Sequence, residues 1–268
     1  MLQPTIRVLD VETTGFHPPE AEVIEIGWQD IAQDQDGSWH ITTETRGVLV
    51  RPERPIPPET SAIHHLIDSD VANARSFSLA MAYAVKNIKP GAQLVALAAH
   101  NAKMERQWLE AEFPGLPWLC TYKCALTLWP EAPGHSNQTL RYWLAPKELD
   151  RSRATPSHRA GPDAYVSAHL LLEMLGGPPV APAGVTLESL LDISSKPALL
   201  PRVPFGKSKG MKWSEVDFGF LEWILVRDFE EDVIFTARTE RDRRVKEFEA
   251  RRAAAPETAH ELTEEEPF

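Results

Sequence analysis

The chain has 268 residues, of which 43% are hydrophobic and 25% charged, enough for one full-sized domain with a small appendage. No apolar run approaches the roughly 20 residues that span a bilayer, and Met1 to Thr5 lacks the basic-then-apolar pattern of a signal peptide. No membrane association is therefore expected. Cys120 and Cys124 are the only cysteines; they cannot form a disulfide framework and read as small core residues, which suits a cytoplasmic location.

The net charge of −11 counts against a nucleic-acid partner, but the distribution softens that objection. Residues 201–213 carry Arg202, Lys207, Lys209 and Lys212 with no acid, and residues 238–252 hold seven basic groups against four acidic ones. The last twelve residues contain five glutamates and no lysine or arginine, the composition of a solvated tail.

In chain order, strands are predicted at Thr5–Val11, Glu22–Ile31 and His40–Val50, separated by turn formers that include Gly15, Pro18, Pro19 and Gly37. Helical patterns follow near Thr60–Leu66 and Ser76–Ile88, then an apolar strand at Leu94–Ala99. Further helices are predicted at Ala102–Phe113, Thr121–Leu128, Asn137–Leu144 and Pro162–Leu175. The order is an antiparallel meander followed by alternating α and β, an α/β fold with a mixed sheet flanked by helices. Residues 1–175 are expected to form the main domain. Residues 176–200 read as a Pro/Gly-rich linker with a short helix at Thr186–Leu191, 201–236 as a small basic and aromatic module, and 237–268 as a charged, exposed tail.

Asp10 and Glu12 lie two residues apart on the first predicted strand, so both side chains point to one face. Burying two unpaired carboxylates is costly unless cations neutralise them, and two divalent ions could share them. Hard carboxylate oxygens suit Mg²⁺ or Mn²⁺. Read alone, the pair fits a solvated edge strand equally well.

The sequence Asp10-Val11-Glu12-Thr13-Thr14-Gly15 resembles the first motif of the DEDD exonuclease superfamily. His100-Asn101-Ala102-Lys103-Met104-Glu105 resembles the second, usually written H-N-x-x-F-D, and His158-Arg159-Ala160-Gly161-Pro162-Asp163-Ala164 matches the third, H-x-A-x-x-D-A. The histidine marks the DEDDh class. Cys120-Thr121, Leu128-Trp129-Pro130 and Phe205-Gly206-Lys207-Ser208-Lys209-Gly210, with the aromatic stretch Phe220 to Trp223, extend the resemblance toward the exodeoxyribonuclease X family.

The resemblance implies a ribonuclease H-like fold and a 3′-to-5′ exonuclease using two Mg²⁺ ions, with Mn²⁺ as an alternative. It implies that Asp10 bridges both ions, that Glu12 and Asp163 complete the first, and that Glu105 supports the second. It implies too that His158 takes the proton from the attacking water. Glu105 departs from the family aspartate, so a changed metal preference or rate is expected. Met104, in place of phenylalanine, can fill the same apolar wall.

Thr13, Thr14, Gly15 and Asn101 are candidate substrate contacts, as are Lys207 and Lys209, whereas Phe220 and Trp223 at helical spacing read as core. His100 reads as structural, His64 as a residue that could face the site, and His17 and His135 as surface residues. The expected partner is nucleic acid, at DNA 3′ ends in single strands or duplex, in repair or recombination. An RNA-directed enzyme and a binding module with weakened catalysis are the competing expectations.

Overall fold

The computed structural model describes residues 2–42 and 44–254 and divides into two compact units, 1–196 and 197–268. The first unit is built on a six-stranded mixed sheet with strands β1 (Gln3–Thr13), β2 (Val23–Gln33), β3 (Trp39–Ile41), β4 (Arg46–Leu49), β5 (Ala92–Ala99) and β6 (Trp118–Cys120). Its order is β3-β2-β1-β5-β6, with β4 also paired to β2. The first four strands pair antiparallel, while β5 and β6 run parallel to β1 and to each other. This is the expected mixed sheet, with one correction. The third predicted strand is two short strands, β3 and β4, because both pair with β2 and the chain leaves the sheet between them.

The helices of this unit are α1 (Pro58–His64), α2 (Asp68–Val71), α3 (Phe77–Lys86), α4 (Lys103–Leu109), α5 (Thr121–Leu128), α6 (Asn137–Leu144), α7 (Ala160–Leu175) and α8 (Leu187–Ser194). Two apolar cores sandwich the sheet. Ile6, Val8, Ala96 and Ala98 meet Tyr165, Val166 and Leu170 of α7 on one face, whereas Leu9, Val11 and Leu97 meet Ala80 and Met81 of α3 on the other. Alternation along β1 produces this division, since successive side chains leave a strand on opposite faces. Between the strands and α3 lies an ion pair. Arg7 on β1 binds Asp30 of β2 in a two-pronged bond of 2.8 Å per contact and also donates to the carbonyls of Ala84 and Asn87. Both side chains are buried, and their hydrogen bonds offset the cost of taking two charges out of water.

Helix α8 belongs to the first unit, where Ser194 Oγ accepts from the Cys120 N–H at 2.7 Å, so the first compact unit runs past the expected boundary at 175. The second unit packs Val203, Trp213, Val216, Leu221 and Ile224 against Val233 and Ala237, using α9 (Phe218–Leu225) and α10 (Glu231–Ala254). The boundary expected at 236 falls inside α10, whose Arg244 donates to the Trp213 and Val216 carbonyls. Residues 255–268 of the expected tail lie outside the described residues. No described helix is long and apolar enough to cross a membrane.

Candidate active site

The site forms where β1 ends under the first turn of α7. Asp10 and Glu12 sit opposite Gly27 and Glu25 of β2, on the face that Val8 shares with α7. A Cβ at Gly27 would lie 2.0 Å from the Ala160 carbonyl carbon, so only glycine lets the start of α7 rest on the strand. That close approach brings Asp163, three residues into the helix, over the two strand carboxylates. Oxygens of Asp10, Glu12 and Asp163 lie within 4.8 Å of one another.

Asp163 is held by two hydrogen bonds of 2.7 Å each, from the His158 backbone N–H to Oδ2 and from Gln138 Nε2 to Oδ1. Gln138 belongs to α6, whose Ser136 cap accepts the Thr139 N–H. Asn137 fixes α6 to α7 through Ser167 Oγ, 2.6 Å away.

Glu105 lies in the first turn of α4, 3% exposed, and its Oε2 has no hydrogen-bond partner. It stands outside the group of three, yet its charge is one of the influences that raise Asp10.

Burial is the main reason that all four carboxyl groups resist ionisation, and repulsion from neighbouring carboxylates adds to it at Asp10, Glu12 and Glu105. Asp10 is raised well above its ordinary value by burial and then by Glu105, Glu12, Asp163 and Glu25. Burial pushes Glu12 up to about 8, with Asp163 and Glu25 adding and Arg159 opposing. Burial also pushes Glu105 up to about 8, helped by Glu12. Asp163 is raised by burial despite its hydrogen bonds. A dense, oxygen-only donor set that is costly to charge without a counter-cation fits a hard divalent ion. The unbonded Glu105 oxygen is a further available donor atom.

His158 is exposed and has a left-handed backbone, φ 58°. Its side chain is near enough for its charge to lower Asp163. Asn101, at the entry to α4, is also exposed and left-handed, φ 69°. Thr13, Thr14 and Gly15 close the turn after β1. Thr13 Oγ1 donates to the Gly15 carbonyl at 2.6 Å, Thr14 Oγ1 accepts the Glu22 N–H at 2.9 Å, and a Cβ on Gly15 would crowd Ala21.

His100 is structural. It bridges Thr121 Oγ1 and the His135 carbonyl, and burial pushes it down to about 4. The expectation for His135 needs correction, because this residue is buried and its Nε2 meets the Trp129 carbonyl at 2.9 Å. Its ring joins the loop before α6 to the end of α5. His17 is exposed and its Nδ1 pairs with Gln107 of α4 at 3.1 Å.

Lys207 and Lys209 lie exposed on a glycine-bounded turn of the second unit. Phe220 packs against that unit's core as expected, but Trp223 is 43% exposed, with the Arg227 guanidinium over its ring, and is not a core residue.

Three neighbours of the carboxylates escaped the sequence reading. Glu25 lies in a strand whose buried run reads as apolar core, Gln138 lies 25 residues from its partner Asp163, and Arg159 occupies a variable position of the third motif. A fourth, His64, was placed only loosely. It is buried, its Nδ1 accepts the Leu66 N–H, and its Nε2 has no partner, while Glu25, Arg159 and His158 are close enough to influence it.

Residues 8–171 match the RNase T model, which describes an exonuclease family. The chain belongs to this exonuclease family. It is 32% identical over 225 residues to exodeoxyribonuclease 10 of Escherichia coli K12, covering 82% of this chain and 90% of that protein. The DNA polymerase III epsilon subunit of the same organism is 28% identical over 183 residues, covering 63% of this chain and 71% of that one. Among solved structures, exonuclease X in complex with 5′ overhanging duplex DNA aligns with a TM-score of 0.52 and 27% identity, over 70% of this chain and 99% of that one. The chain is therefore a nuclease of the DEDDh type with a ribonuclease H-like fold and an acidic site suited to divalent metal.

Proposed function

We propose that this exonuclease removes mononucleotides from the 3′ ends of DNA, with Mg²⁺ as its working ion, Mn²⁺ as a substitute, and DNA repair or recombination as its setting. The observation that carries the reading is the convergence of Asp10, Glu12 and Asp163, with Glu105 near enough for its charge to raise Asp10, in a site where all four carboxyl groups resist ionisation. Asp10, central to the mutual repulsion, Glu12, Asp163 and Glu105 are the residues that would hold the two divalent ions. A divalent ion held there supplies electrostatic stabilisation to the attacking and leaving oxygens of an in-line phosphoryl displacement.

The chain's own residues supply the rest. His158, beside Asp163 on an exposed loop, accepts the proton of the attacking water. Gln138 and the His158 N–H keep Asp163 from turning away. The closed turn at Thr13, Thr14 and Gly15, together with Asn101 at the head of α4, binds the terminal nucleotide. Lys207 and Lys209, on the second unit, grip phosphates of the nucleic acid.

The DNA relatives favour DNA as substrate, and the buried free thiols of Cys120 and Cys124 suit a cytoplasmic location. Matched 5′-labelled DNA and RNA strands, incubated with Mg²⁺, Mn²⁺ or EDTA, test the substrate. A ladder shortening from the 3′ end of DNA in metal alone is expected. Faster shortening of RNA would reverse the assignment.

A further inference from the structure

Glu25 has an energetically awkward position. It lies directly across from Glu12 in the strand register, is 4% exposed, and its charge opposes ionisation of Glu12 and Asp10. A residue selected only for stability would not add an anion to that cluster. Its hydrogen bonds indicate what it does. Both carboxylate oxygens bind Arg159, Oε2 to Nε and Oε1 to a terminal guanidinium nitrogen, each at 2.8 Å, and Oε2 also accepts the Ala160 N–H at 3.1 Å.

Arg159 is the N-cap residue of α7 and provides no side-chain cap of its own. The first N–H groups of a helix have no partner within it, and an anion at that end is favoured by the helix dipole. Glu25 thus caps α7 from a neighbouring strand while its partner Arg159 sits immediately after His158. His158 in turn is held in a left-handed backbone that non-glycine residues adopt only at a cost. The bond from the His158 N–H to Asp163 closes the turn. One side-chain pair therefore fixes two things at once, the loop that presents His158 and the rotation of the helix that presents Asp163.

We propose that the buried Glu25 and the half-buried Arg159 form a clamp that positions His158 and Asp163 for the reaction, so that Glu25 and Arg159 are positioning residues of the exonuclease site. The inference rests on the reading of His158 and Asp163 given above. Gly47 is consistent with it, since a Cβ there would press on Glu25 Oε1 at 3.3 Å.

The test uses Arg159→Gln, Arg159→Lys and Glu25→Gln in the full chain, each checked by circular dichroism and thermal melting. On single-stranded DNA with Mn²⁺, Arg159→Gln should lose on the order of ten- to a hundredfold in kcat, as for residues behind a metal-binding shell, with KM moving less than about threefold. Arg159→Lys, which keeps the charge but loses the two-pronged fork, should recover part of kcat. A rise in KM with kcat unchanged would make Arg159 a substrate contact, and unchanged kcat with a lowered melting temperature would make the pair merely structural. Either result overturns the clamp.

Mn²⁺ affinity, measured by calorimetry without substrate, gives a second readout whose sign discriminates. Loss of a nearby cation by itself tightens Mn²⁺ binding, whereas loss of positioning weakens it, and the clamp requires weakening in Arg159→Gln. Should the wild-type chain fail to cleave DNA, the functional reading falls, while the Mn²⁺ result still decides the clamp.

Discussion

Glutamate at position 105 carries its carboxylate one methylene farther from the backbone than aspartate does, and that carboxylate is buried with one oxygen unbonded. A buried, unpaired oxygen is expensive to retain, which argues for a ligand role. Glu105→Ala should therefore lower Mg²⁺-dependent cleavage by about ten- to a hundredfold, and full activity in that variant would remove Glu105 from the site.

The same residues set a pH dependence. Glu12 and Glu105 each rise from 4.5 to about 8 in the folded chain, so the native state holds protons that the unfolded chain releases. Their contribution to stability is complete below about pH 4.5 and is lost as pH climbs toward 8. In EDTA the melting temperature should fall between pH 5 and pH 8.5, with a smaller fall in Glu12→Gln. Added Mn²⁺ should raise it more at high pH than at low pH. A metal-free melting temperature that is flat across this range would contradict the raised values.

At the scale of elements, the site depends on how closely α7 approaches β2. Gly27→Ala places a methyl on the Ala160 carbonyl and must displace the helix that carries Asp163. The expected cost is about 1 to 3 kcal/mol, as for overpacked cores, read by urea denaturation, together with reduced cleavage. Normal activity and stability in this variant would mean that the helix can move without consequence.

This contact also shows what the sequence makes legible. Alternation along β1 placed Asp10 and Glu12 on one face, and the three motifs placed Glu105, His158 and Asp163 on their elements. Gly27, Glu25 and Gln138 stayed hidden because their importance lies in what a distant segment brings to them. A buried glutamate in the run VIEIGWQDIAQ has no sequence signature until Arg159 and the Ala160 N–H arrive. The three-residue β6 is too short to have a periodicity, and His135 looked exposed because the core around Trp129 was invisible locally.

Across the whole molecule, the acidic chain must bind a polyanion, and Lys207, Lys209 and Lys212 of the second unit are exposed around its glycine-bounded turn. If Lys207 and Lys209 contact phosphates, replacing both by alanine should raise KM for long DNA and reduce the slope of log K against log salt by about one per lysine. The kcat should be left intact. An unchanged salt slope would assign DNA binding elsewhere.

On the proposed reading, the acidic cluster performs metal-dependent hydrolysis at 3′ ends. Its most direct test is mononucleotide release from 3′-labelled single-stranded DNA by the wild-type chain and Asp10→Asn, each in Mg²⁺ and in EDTA. Release by the wild type in Mg²⁺ alone is predicted. Equal release by Asp10→Asn, or release that persists in EDTA, would contradict it.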